Sequence, residues 1–231
     1  VNINRLLELT KPVATAVVPI SAGRHIYKRE PSFPIAVACD PAFNFVYEAN
    51  IRYLHHLGEV TYFSPLADTS LPDVGFVYLP GGYPELYLAA LSANRQMLQS
   101  IRRYVESGGK LLAECGGMMY LCDEIRDKNG DVYPMAGVLH QSATMENMKL
   151  RLGYRTLLYN ETRLKGHEFH YSRLVEQNNP LPSCAVAYTA KGVETDTPLY
   201  RYKNVWAGYT HLYWADPAGN EWFTNYLFGK E

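Results

Sequence analysis

The stretch Leu111–Leu121, LLAECGGMMYL, decides how the chain is read. Its first residues are a short apolar run, the pattern of a buried strand, and the pair Gly116-Gly117 lets the backbone turn tightly into a helix. A residue on such a strand-to-helix turn is exposed at the carboxyl edge of a sheet, where α/β proteins place their sites. Amides at the start of the helix point toward the sulfur of Cys115, and their partial positive charge favours thiolate over thiol. A cysteine after an apolar strand is ordinarily a small buried hydrophobe. The two glycines directly behind Cys115 tip the reading to a candidate nucleophile.

Upstream, IAVACD (35–40), VTYFSPL (60–66) and VGFVYLPGG (74–82) read as further strands. Between them FNFVYEANIRYLHHLG (43–58) has apolar residues at helical spacing. NRQMLQSIRRYVESGG (94–109) carries Met97, Leu98, Ile101, Tyr104 and Val105 on one face before its glycine stop. Strands alternating with helices at this spacing predict a mostly parallel α/β sheet flanked by helices. After about residue 130 the texture turns to strands: VYPMAGVL (132–139), LRLGYRTLLY (150–159), LKGHEFHYSRLV (164–175), AVAYTAKG (185–192) and VWAGYTHLYW (205–214). A last helix, NEWFTNYLFG (220–229), follows.

Residues 3–10 could form a short helix, and the Pro-rich segment behind them lacks sustained periodicity. Residues 1–33 are therefore expected to be a remnant of a preceding domain plus a linker, and residues 34–231 the domain proper. With 47% hydrophobic and 19% charged residues among 231, the chain is neither disordered nor fibrous. A formal net charge of -1 argues against a general nucleic-acid binder. No apolar run approaches the roughly 20 residues that cross a bilayer, so no membrane partner and a cytoplasmic location are expected. Four cysteines are too sparse for a disulfide scaffold, and none stands in a CxxC pair, so no metal is expected. Cys39 in a core strand, Cys122 on a helix and Cys184 in a loop read as structural.

A nucleophilic thiol needs a base that also serves as acid, and an oxyanion site. Of seven histidines, His211 stands in AGYTHLYW at the end of a strand-like stretch. In GHEFHYS, strand alternation puts Glu168 and His170 on one face and His167 on the other. His55 and His56 sit on a helix and His25 in the linker. The residues alone do not choose among these. In YLPGGYPE (78–85) the glycine pair either lines the mouth of the sheet with amides or simply makes a turn. There is no GxxxxGK[ST] sequence, so the chain has no P-loop of its own.

The ordered motifs PGGYPE, AECGGMMYL, GHEFHYS and THLYW resemble the class I glutamine amidotransferases. More narrowly, they resemble the cobyrinic acid a,c-diamide synthase subgroup of the cobalamin pathway, from about Pro34 onward. The resemblance implies a flavodoxin-like α/β domain with additional strands in its C-terminal half. It implies Cys115 as nucleophile on glutamine, His211 as base and acid, and the amides of Gly82 and Gly116 as oxyanion donors. Many relatives have a Glu two residues after the His, whereas here that position is Tyr213, leaving a Cys-His dyad whose third member is Glu168 or a backbone carbonyl. Arg151 is the candidate contact for the glutamine α-carboxylate. Glu85 and Tyr83 either contact substrate, order the oxyanion loop or face an absent domain, and His167 and His170 are candidate interface contacts. The family places such a domain behind an ATP-binding synthetase domain, so ATP and Mg2+ are expected in the full-length enzyme and no cofactor in this domain. Ammonia would amidate the a and c carboxylates of a cobyrinate-type tetrapyrrole held by that partner. The competing readings are a hydrogenobyrinate or nickel-sirohydrochlorin substrate, a different cysteine hydrolase on the same architecture, or a non-enzymatic domain that keeps the fold.

Overall fold

In a computed structural model of the chain, the structure describes residues 33–178 and 180–229. The expected helix over residues 3–10 and the linker behind it lie outside the described residues. In chain order the strands are β1 (Phe33–Ala38), β2 (Gly58–Phe63), β3 (Phe76–Leu79), β4 (Lys110–Glu114), β5 (Glu124–Arg126), β6 (Val132–Pro134), β7 (Ser142–Thr144), β8 (Arg151–Tyr159), β9 (Thr162–His170), β10 (Arg173–Leu174), β11 (Val186–Thr189), β12 (Glu194–Thr195), β13 (Leu199–Tyr202), β14 (Val205–Gly208) and β15 (His211–Leu212). The helices are α1 (Glu48–Leu57), α2 (Leu88–Ala93), α3 (Arg95–Glu106), α4 (Gly116–Leu121) and α5 (Pro217–Phe228).

The central sheet runs β2-β1-β3-β4-β14-β13, parallel throughout except for the antiparallel edge strand β13. Its inner strands read as unbroken apolar runs because both faces are covered. Ala36, Val77, Leu79 and Ala113 meet one core with Leu91 of α2, Met97 and Ile101 of α3, and Met118 of α4. Ile35, Val37, Phe76 and Leu112 meet the opposite core with Leu54 of α1 and Phe223 of α5. The Asn94 side chain caps α3 by accepting from the Met97 amide at 3.3 Å.

On the second core lies an antiparallel sheet of order β12-β11-β8-β9-β15, which contributes Leu157 and Leu164. Its spine is the β8/β9 hairpin, closed by Asn160 and Glu161 at φ 43° and 67°, the left-handed pair of a two-residue turn. A small sheet, β10-β7-β5-β6, follows α4.

Three strand expectations change. The stretch 205–214 is two strands in two sheets: β14 pairs beside β4 as far as Gly208 opposite Glu114, and β15 pairs with β9. β4 ends there because the chain turns at Cys115, whose amide takes the Gly208 carbonyl at 2.8 Å, so no ladder remains for β14 to follow. In 132–139 only Val132–Pro134 is strand. The amides of Ala136, Gly137 and Val138 instead satisfy the carbonyls of Tyr120, Cys122 and Leu121 at the end of α4. Finally, 164–175 breaks after His170, whose ring bonds the Ser172 carbonyl. Cys39 is also corrected: it lies beyond the end of β1 and is exposed, while Cys122 is buried and Cys184 half-buried.

Gly117 is where α4 crosses β3, and a Cβ there would stand 2.1 Å from the Leu79 carbonyl oxygen. Gly117→Ala is expected to cost about 1–3 kcal/mol through forced backbone displacement. A urea unfolding midpoint equal to wild type would show that this approach has slack.

Candidate active site

Cys115 carries the turn with φ 47° and ψ −106°, a conformation that costs a non-glycine residue on the order of 1–3 kcal/mol. Its amide bond to the Gly208 carbonyl and its own carbonyl bond to the Met119 amide at 3.0 Å hold it from both sides. Opposite stands the Pro80-Gly81-Gly82 turn after β3. It is fixed by the Phe45 amide on the Gly81 carbonyl at 3.1 Å and the Tyr83 amide on the Ala42 carbonyl at 3.0 Å. A Cβ on Gly82 would meet the Ala42 oxygen at 2.1 Å, so backbone passes backbone with no room for a side chain. The two glycine turns abut: a Cβ on Gly116 would lie 3.2 Å from the Gly82 nitrogen.

β15 brings His211 to the same place. Cys115 and His211 both line a cavity of about 290 Å³, with Phe45, Gly82, Tyr83, His167 and Phe169. The imidazole rests over Gly81, where a Cβ would stand 2.2 Å from its Cε1. Phe45 packs on one side with ring centroids 4.4 Å apart, and His167 stacks at 5.0 Å and 27°. His211 is 3% exposed. Burial, then the neighbouring His167 and His170, push its pKa down to about 3. The Cys115 thiol is pushed up to about 12, first by burial and then by the Glu85 carboxylate, with the Gly116 amide pulling weakly the other way. The resting pair is therefore neutral thiol and neutral imidazole, and the thiolate expected from the helix start is overridden by desolvation.

Glu114, directly before Cys115, is 2% exposed. Its Oε2 accepts from the Tyr78 hydroxyl at 2.7 Å, its Oε1 from the Leu212 amide at 3.1 Å, and Oε2 faces His211 Nδ1 at 4.0 Å. Burial raises this carboxyl to about 8, opposed by those two hydrogen bonds. Sequence reasoning passed over Glu114, although a lone acid ending an apolar buried strand was a visible signal. Phe45 and Tyr78 carried no such signal.

The remaining candidates divide into two groups. Tyr83 is exposed at the rim, and Glu85, in the turn Pro84–Leu86, lines a narrow cleft with Cys115, Met119 and His170. Burial raises the Glu85 carboxyl. This cleft and the larger cavity share Gly82, Tyr83, Cys115 and Phe169, so they form one branched space around the sulfur. His167 bonds the Tyr47 hydroxyl, and His170 stacks on Tyr209 at 3.8 Å. Arg151 and Glu168 line a neighbouring cavity of about 280 Å³ that shares His170 and Ser172 with the narrow cleft. Arg151 is paired with Asp196, and Glu168 meets Arg155 at 2.6 Å. The structure thus brings Cys115, His211, Gly82, Gly116, Tyr83 and Glu85 together, and puts Arg151 and Glu168 outside both Cys115 cavities.

Comparison with known proteins places the chain in a family. Residues 34–219 match the profile of the CobB/CobQ-like glutamine amidotransferase domain. The hydrogenobyrinate a,c-diamide synthase of Pseudomonas aeruginosa is 41% identical over 185 residues, covering 78% of this chain and 41% of that protein. The cobyrinate a,c-diamide synthase of Fusobacterium nucleatum is 40% identical over 188 residues, with the same shares, 78% and 41%. The chain thus spans less than half the length of these curated relatives. In fold it is similar to a chain of the Thermotoga maritima PurLQS structure, with a TM-score of 0.53 at 18% identity over 78% of this chain and 87% of that one. The profile match spans most of the chain's length, so the chain belongs to the family of CobB/CobQ-like glutamine amidotransferase domains.

Proposed function

We propose that this domain is the glutaminase half of a cobyrinate-type a,c-diamide synthase, hydrolysing glutamine and passing ammonia to an ATP-dependent synthetase partner. The observation that carries the reading is the shared cavity of Cys115 and His211 beneath the abutting Gly82 and Gly116 turns. The thiol proton moves to the His211 imidazole as sulfur attacks the carboxamide carbon of glutamine. The amides of Gly82 and Gly116 receive the oxyanion. The C–N bond then breaks, the imidazolium returns its proton to the departing nitrogen, and ammonia leaves a glutamyl thioester that water hydrolyses to glutamate.

Substrate orientation follows from charge. Glu85 is the one carboxylate lining the narrow cleft beside Cys115, and it suits the α-ammonium group of glutamine. The ion pair of Arg151 with Asp196 and its place in the neighbouring cavity speak against it as the carboxylate clamp, and we assign the α-carboxylate end to the Tyr171–Ser172 side of the same cleft. Tyr83 and Phe169, which line the site, are exposed at 44% and 37%, and exposed aromatic side chains at a site mouth suit cover by a partner domain. We assign that cover to the synthetase. We assign the ATP and Mg2+ chemistry to that partner as well, on the likeness to relatives named as a,c-diamide synthases. Relatives named for cobyrinate and for hydrogenobyrinate match almost equally, at 40% and 41% identity. The assignment is therefore to the a,c-diamidation common to both.

Measured with the full-length enzyme, Cys115→Ala should abolish glutamate release while circular dichroism stays unchanged; continued turnover would sink the assignment. His211→Ala should slow labelling of Cys115 by an electrophilic glutamine analogue by about 100-fold or more, and undiminished labelling would remove His211 from its role. Glu85→Gln should raise KM for glutamine by about 10- to 100-fold, the worth of a hydrogen bond to a charged group, whereas Arg151→Ala should leave KM within about twofold. The reverse pattern would return substrate binding to Arg151.

A further inference from the structure

The His211 Nδ1 atom is buried and has no hydrogen-bond partner. A base that is to take a thiol proton at Nε2 must carry its own proton at Nδ1 and be held so by something. Tyr213, two residues on, presents a partly exposed phenol. Glu168 is committed to Arg155. His167, stacked on the ring, is bonded to Tyr47. The carboxylate that faces Nδ1 is Glu114, at 4.0 Å. No Lys or Arg is paired with Glu114 among the described residues; its oxygens are taken by the Tyr78 hydroxyl and the Leu212 amide.

We propose that Glu114 is the positioning residue of this site, one oxygen facing His211 Nδ1 while the other grips the backbone amide of the next residue. The inference rests on the glutaminase reading above. The geometry gives Glu114 two tasks. The Leu212 bond fixes the short strand that carries His211 to the residue before the nucleophile, so base and thiol share one anchor. The oxygen facing Nδ1 provides a counter-charge when the thiol proton arrives at Nε2 and the ring becomes imidazolium. Separations in resting sites are commonly long and tighten in the reacting complex.

The arrangement predicts a pH dependence of definite sign. The groups facing Glu114 are Tyr78 from β3, Tyr47 ahead of α1, Cys115 beside it, and His211 with the Leu212 amide from β15. Burial holds the carboxyl at about 8. Below that pH it is protonated and gives the imidazolium no counter-charge; above it the carboxylate is present. Glutaminase kcat should therefore rise with pH through about 8.

The test is the pH profile of glutamate release by the full-length enzyme. Glu114→Gln should lower kcat by about 100-fold or more, leave KM for glutamine within about twofold, and erase the rise near pH 8. Tyr78→Phe removes a hydrogen bond that favours the carboxylate, so its rise should move to higher pH with the high-pH plateau retained. If Glu114→Gln keeps the wild-type profile, or Tyr78→Phe leaves the rise where it was, the proposal is overturned. Should Glu114→Gln not fold, the Tyr78→Phe profile decides. Absence of any glutamate release by wild type would count against the glutaminase reading itself, a different outcome from an unmoved profile.

Discussion

The molecule is organised around one strained peptide unit. Cys115 at φ 47° can persist only if its surroundings determine it more strongly than its own backbone preference opposes it. The Gly208 carbonyl on one side, the first turn of α4 on the other and the missing side chain of Gly117 against Leu79 supply that. The consequence runs further than the cysteine. Because β4 turns away at this residue, β14 loses its neighbour, and the chain crosses through Tyr209 and Thr210 to the second sheet. The same turn that presents the sulfur thus compels the chain to deliver His211 beside it.

Desolvation sets the chemistry at that junction. A thiol pushed up to about 12 and an imidazole pushed down to about 3 make an uncharged resting pair. In the proposed reaction, charge separation then has to be supported at the moment of attack rather than stored beforehand. The two backbone amides at the abutting glycine turns suit the negative end. The carboxyl of Glu114 stands at the positive end. Aromatic packing by Phe45 and the stacked His167 excludes water from the imidazole and so maintains the condition that makes both groups neutral.

Much of this was legible in the linear pattern because it rests on local rules. The alternation of apolar strands and amphipathic helices up to residue 121, the helix before Gly108, and the glycine pair behind Cys115 depend on neighbours in sequence. The strand content after residue 130 was also visible, but its partition was not. VWAGYTHLYW alternates as one strand, and nothing within it says that its halves join different sheets. Likewise Glu168 and His170 were rightly put on one face of β9, while which face looks at His211 depended on the sheet packed against it. It is the His167 face that stacks on the ring.

By itself the sequence determined the class of fold and the turn at Cys115, because period, turn chemistry and a glycine pair act over a few residues. Only the tertiary structure decided which carboxylate faces the histidine, and that Arg151 stands with Asp196 rather than at the sulfur. Those assignments join residues far apart in sequence, 45 positions for Arg151 and Asp196 and about a hundred for Glu114 and His211. Electrostatic partners in a desolvated site are selected by distances that no local pattern encodes.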